Sequence, residues 1–253
     1  MDHRSLSSCG YALLLTSSFA CLLGCSPVQG VTALAASDPT TDVCLGLSEL
    51  RFSLADVELR TERIVWGHAS GGDYVVVLNR FTEIESVMAD DLAPGLEVSQ
   101  IEQLSKSSGL LRESVQGVSG TSLNLKAQKK KMEREFKYLR EDIIKSTYPA
   151  EQPRPYALLL SAQRMLDSDI NVIGVAGIER LLAENREALL GYCAPSYHPC
   201  ADPQYKSGAL FAKAVSEYIT LYRKLVDEFA TNQDHLDTVR ESVVTHVADL
   251  CGG

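Results

Sequence analysis

Residues 210–247 read LFAKAVSEYITLYRKLVDEFATNQDHLDTVRESVVTHV, and this stretch decides the fold. Apolar side chains fall at Leu210, Phe211, Val215, Tyr218, Leu221, Tyr222, Leu225, Phe229, Leu236, Val239, Val243 and Val247, mostly three or four residues apart. That period gathers them into one stripe along an α-helix, with acids, lysines and arginines on the other side. The spacing predicts a helix from about 205 to 249, which needs other helices to cover its stripe.

The rest of the chain supplies them. Leu47, Leu50, Leu54, Val57, Ile64 and Val65 repeat the pattern until Gly67 and Gly71-Gly72 interrupt it. Val77, Leu78, Phe81, Ile84, Val87 and Met88 make a second stripe, opened by Asp73 as a capping residue and stopped at Pro94-Gly95. Val98, Ile101, Leu104 and Leu111 resume it. Gly117 and Gly120 then mark either a loop or a weak mid-helix segment. Leu125, Met132, Phe136, Leu139 and Ile143 form a clean stripe, and Pro149, Pro153 and Pro155 force a connection. A further helical region covers Tyr156 to about Tyr192, with Gly174 and Gly177 as its expected break. No strand pattern competes. The expected fold is all-α, an elongated bundle of five or six amphipathic helices over residues 44–251.

The first residues obey a different rule. Tyr11 to Leu23 is an uncharged run of 13 residues behind Arg4. A membrane span needs about 20, whereas this length suits the h-region of a signal peptide. The run ends Leu22-Leu23-Gly24-Cys25, which resembles the lipobox of bacterial lipoproteins. The resemblance implies cleavage before Cys25, so that 1–24 is a lipoprotein signal peptide. It also implies diacylglycerol on the Cys25 thiol and an acyl chain, such as palmitate, on the new amino terminus. Ser26, not aspartate, follows, which implies sorting to the outer membrane, facing the periplasm. A plain secretory signal cleaved nearby is the alternative. Residues 25–43, small, polar and proline-punctuated, read as a lipidated flexible tether.

The chain has seven cysteines. Cys9 and Cys21 leave with the signal and Cys25 takes lipid, so four remain: Cys44, Cys193, Cys200 and Cys251. An even set in an exported chain predicts disulfides. The segment CAPSYHPC (193–200) is a ready loop, so Cys193 is expected to pair with Cys200 and Cys44 with Cys251. Cys193, His198 and Cys200 are also zinc-ligand types, but they lack a fourth ligand at motif spacing and there is no C-x-x-C. The expectation is no metal and no cofactor.

The net charge is −9, and Asp2 and Arg4 cancel, so the chain after the signal is equally acidic. A pI near 5.1 argues against nucleic acid as a partner. No G-x-S-x-G, H-E-x-x-H, P-loop or G-x-G-x-x-G occurs. His235 and His246, eleven apart on one predicted helix, read as exposed polar positions before they read as ligands. Asp90-Asp91 and Asp167 with Asp169 read as helix ends. Two places are candidates for partner binding. Lys129, Lys130, Lys131 and Arg134 head a basic run, interleaved with Glu133, Glu135, Glu141 and Asp142; it reads as a solvated helix face, or else as a face for anionic headgroups or an acidic partner. Trp66, the only tryptophan, sits at a glycine-rich turn and is either core or an interface anchor.

One short resemblance remains. Gln163, Arg164, Met165 and Leu166, in LLLSAQRMLDSDINVI (158–173), resemble the Q-R-M-L helix of periplasmic sensor domains in type IV pilus chemotaxis-type receptors. Taken together, the expected function is non-enzymatic: a membrane-anchored scaffold, accessory or binding subunit of an envelope assembly with a protein partner. The alternative is a ligand-sensing bundle reporting to a membrane partner, with a pocket near Arg164 and Tyr156. An envelope hydrolase is the third reading.

Overall fold

The computed structural model describes residues 39–67, 71–146, 154–192 and 206–251. Among them are six α-helices and one five-residue π-helical turn: α1 Pro39–Val65, α2 Gly71–Val87, the turn Met88–Leu92, α3 Val98–Lys145, α4 Tyr156–Asp167, α5 Val172–Gly191 and α6 Ser207–Cys251. The described residues contain no strand. All belong to one compact unit, Ser37–Gly253. The Tyr11–Leu23 run, Cys25, most of the expected tether and the segment 193–200 lie outside the described residues.

The stripe quoted above is the centre of the core. Phe211, Val215, Tyr218, Leu225, Leu236, Val239 and Val243 of α6 are buried, and so are Leu104, Leu111, Val115, Val118, Leu125, Met132, Leu139 and Ile143 of α3. The two helices run antiparallel along nearly their whole length. Contacts pair Gln100 with His246, Ser114 with Asn232, Gln128 with Glu217, and Phe136 with Phe211. At 1.5 Å per residue each helix is about 70 Å long. Each large side chain buried in that seam contributes roughly 1.5–3 kcal/mol, so the long contact dominates the stability of the fold.

Gly117 and Gly120 do not form a loop; α3 passes straight through them. Tertiary contact overrides weak local propensity here. Asn232 Nδ2, itself buried, donates to Ser114 Oγ at 2.9 Å, and Ser122 Oγ donates to the Ile64 carbonyl at 3.0 Å. Ser114 and Ser122, either side of the glycines, thus tie α3 to α6 and α1.

α1 and α2 form a hairpin in which α1 packs along the Cys251 half of α6 and α2 packs against α1 and α3. α1 ends at Gly67, whose φ of +75° is a left-handed conformation glycine adopts without steric cost. Asp73 does not cap α2 from outside. It lies buried in the first turn, and Arg60 Nη1 reaches it at 3.1 Å and Arg63 Nη2 at 3.6 Å. Asp56 accepts from Arg60 at 3.0 Å and from Arg80 at 2.7 Å, stitching α1 to α2. Burial raises the Asp56 carboxyl pKa, but the two arginines outweigh it and hold the group below its ordinary value.

Two boundaries differ from the sequence expectation. α1 begins at Pro39, five residues before Cys44, and Val43 is buried, so the folded part takes in residues 39–43 from the expected tether. Proline is tolerated in a first turn because its missing N–H needs no helical partner there. The break in the 156–192 region falls at Ser168–Asn171, ahead of Gly174 and Gly177. Asn171 caps α5 by accepting from the Gly174 N–H at 2.7 Å, which favours starting a helix there.

Cys44 and Cys251 are disulfide-bonded, with Cα atoms 5.8 Å apart. α1 and α6 therefore lie side by side and antiparallel. Glu58 accepts from Arg240 at 2.5 and 3.0 Å, and Trp66 meets Phe229 further along.

Candidate functional site

The basic run 126–140 occupies one stretch of α3, but its members point to different places. Lys129 falls in register with the buried Leu125, Met132, Leu139 and Ile143, and so it faces inward. Its Nζ donates to the Leu166 carbonyl, lies 3.5 Å from the Ser168 carbonyl, and sits 5.7 Å from the centre of the Tyr218 ring. Leu166 and Ser168 end α4, where helical carbonyls lack partners. Lys129 thus caps a neighbouring helix with a cation, where the helix dipole favours one. Burial pushes its pKa below the ordinary lysine value, against the pull of Glu133, Asp167 and Asp169.

Its neighbours do other work. Lys131 pairs with Glu217 of α6 at 2.6 Å, and Gln128 donates to the same carboxylate and to the Ala214 carbonyl. The hydrogen bond from Lys131 holds the Glu217 pKa down. Arg134 binds the buried Glu135 at 2.9 Å. Lys130 is exposed. Of the four residues read as one basic face, Lys130 and Arg134 are exposed, Lys131 is half-buried and paired with α6, and Lys129 is half-buried against the end of α4.

Trp66 is only partly covered by the core. Its ring makes an edge contact with Phe229, centroids 6.4 Å apart, yet 39% of the residue stays exposed. His235 and His246 are about 16 Å apart along α6 at helical rise. His235 borders a shallow groove with Glu113, Ser114 and Glu228, while the buried His246 lies 3.4 Å from Gln100. Among the described residues no three His, Cys, Asp or Glu side chains gather to hold a metal. Asp90 accepts from Ser86, and Asp167 accepts from Gln163. Arg164 and Tyr156 are both exposed. Cys25, Cys193, Cys200 and His198 lie outside the described residues.

A groove of about 250 Å³ separates α5 from α6, lined by Val172, Val175, Ala176, Tyr222 and Val226, with Arg223 and Glu179 paired at its edge. The Tyr222 ring is buried, and its hydroxyl has no hydrogen-bond partner.

The periodicity stripe chosen for α1 missed one feature. That stripe is its inner face, but the outer face also carries large apolar side chains: Leu45, Phe52, Leu59 and Trp66. The seven-residue spacing was the available signal. Among the described residues no helix is long and apolar enough to cross a membrane. The chain matches no family model and no curated protein.

Proposed function

We propose that this chain is a bacterial envelope lipoprotein, held to the outer membrane by lipid on Cys25, whose helical domain serves as a non-enzymatic scaffold or binding subunit of a periplasmic assembly. The observation that carries the reading is the Cys44–Cys251 bond, which closes the domain beside the tether. A disulfide joining the first and last helices suits an oxidising, exported setting. The apolar run and the lipobox-like Leu22-Leu23-Gly24-Cys25 point to the same compartment. Two helices about 70 Å long at helical rise offer extended side surface, which is what a scaffold presents.

The test is metabolic labelling of the full chain with an alkyne fatty acid in a bacterial host. The wild-type chain is expected to take the label and to fractionate with the outer membrane, and Cys25→Ser to take none. A labelled Cys25→Ser chain, or an unlabelled wild type, contradicts the anchor. The scaffold role is tested by envelope crosslinking: a reproducible set of periplasmic or outer-membrane proteins supports it, and a chain that crosslinks to nothing contradicts it.

A second reading, ligand sensing, draws on the groove between α5 and α6 with the unpartnered Tyr222 hydroxyl beneath it. Small amphipathic ligands that raise the melting temperature of the wild type, and not of Val226→Trp, would favour it.

A further inference from the structure

α1 is apolar on two opposite faces. The inner one, with Leu47, Leu50, Leu54, Val57 and Ile64, is covered by the bundle. The outer one presents Leu45, Phe52, Leu59 and Trp66, which are 60, 69, 56 and 39% exposed. These four lie seven residues apart, and Ser48, Ala55 and Glu62 fall between them at the alternate seam positions. A seven-residue repeat of large apolar side chains is the seam of a helix that packs along another helix. A helix serving one core needs a single apolar stripe, so a second row of large apolar side chains along the opposite face points to an interaction surface.

The charges flanking the seam select the occupant. On one flank stand Arg51 and Glu58, on the other Glu49, Asp56 and Arg63. In a parallel, in-register pair of helices, each flank residue faces the opposite flank of the other helix five positions on. For two copies of α1 that rule sets Arg51 against Asp56 and Glu58 against Arg63, each twice by symmetry, and every pair is of opposite sign. An antiparallel pair sets Asp56 against acids of its own flank. Within their own chain Asp56 already holds Arg60 and Arg80, and Glu58 holds Arg240, so both carboxylates are fixed in place to receive a further arginine. α1 is also already folded onto the bundle, so association does not have to nucleate a helix.

We infer that α1 is the homodimerisation helix of this protein, pairing parallel and in register with α1 of a second copy through Leu45, Phe52, Leu59 and Trp66. Glu62 meets its own copy within the seam, which limits the affinity and keeps the pair in exchange. The parallel arrangement leaves both Cys44 residues at the same end, as two chains anchored in one membrane require; that point alone rests on the anchored reading, and the dimer itself does not.

The experiment uses the full chain in non-ionic detergent micelles. Sedimentation equilibrium is expected to give two chains per particle for the wild type. Phe52→Glu and Leu59→Glu are expected to give one chain with an unchanged far-ultraviolet dichroism spectrum, because both side chains are exposed in the single chain. Trp66 emission is expected to move to longer wavelength in both variants. Under mild oxidation Ala55→Cys should form a disulfide-linked dimer that is absent from the wild type and from Thr220→Cys on the far half of α6. A wild type with one chain per particle overturns the inference. So does a dimer that Leu59→Glu leaves intact and Ala55→Cys does not trap. Loss of fatty-acid labelling, in contrast, leaves this result unchanged and bears only on the anchor.

Discussion

Cys44, in the second turn of α1, is bonded to Cys251, the last residue of α6, across a sequence separation of 207. The bond fixes the two ends of the domain against each other and sets the antiparallel register of α1 on α6. In the chain-entropy description, closing a loop of that size stabilises by up to about 5 kcal/mol. Cys44→Ser/Cys251→Ser is expected to unfold at lower denaturant concentration, with a loss of about 2–5 kcal/mol in urea titrations. A double variant as stable as the wild type would show that packing alone holds the ends.

Lys129 ties α3 to the end of α4. Lys129→Met keeps most of the volume and removes the hydrogen bonds to the Leu166 and Ser168 carbonyls. The expected cost is about 1–2 kcal/mol for partly buried carbonyls left without this donor. Hydrogen exchange should accelerate in Tyr156–Asp167. Lys130→Met, on the exposed side, should change neither.

Tyr218 carries a pH dependence. Burial first, and the neighbouring Tyr222 second, raise its pKa from 10.0 to about 12. The folded state therefore keeps its proton over a range in which the unfolded state has lost it. Below pH about 10 the group adds no pH dependence. Between about 10 and 12 stability should fall as pH rises. Tyr218→Phe should remove that part of the slope in urea titrations. Because the hydroxyl is buried without a partner, it should cost little at neutral pH.

Glycines in the bundle should respond in opposite directions. A Cβ on Gly208 would sit 2.3 Å from the Leu189 carbonyl oxygen, where α6 passes α5. Backbone cannot yield as a flexible side chain does, so Gly208→Ala is expected to lose about 1–3 kcal/mol. Gly120 lies inside α3 with nothing within 4 Å of its added Cβ. Gly120→Ala should gain about 0.5–1 kcal/mol from helix propensity. Thermal melts of the two variants should move apart.

The sequence made the helices legible because amphipathic spacing is a local property: the stripes of α3 and α6 predict the core that forms between them. The Cys44–Cys251 bond was legible too, once the other cysteines were assigned. Propensity left Gly117 and Gly120 open between a loop and a weak mid-helix segment, and the tertiary contacts of Ser114 and Ser122 with α6 and α1 decide for the helix. Propensity misplaced the α4–α5 break, because the Asn171 cap outweighs the glycines. The inward turn of Lys129 was written in its register with Leu125 and Met132, but its charge drew attention to the surface. The outer seam of α1 escaped because the first stripe found already accounted for the helix.

The most direct measurement is mass spectrometry of the amino-terminal peptide of the protein extracted from a bacterial envelope. The expected peptide begins at Cys25 and carries the mass of a diacylglycerol and an amide-linked acyl chain. A peptide that begins elsewhere, or one in which Cys25 is unmodified, contradicts the anchored scaffold.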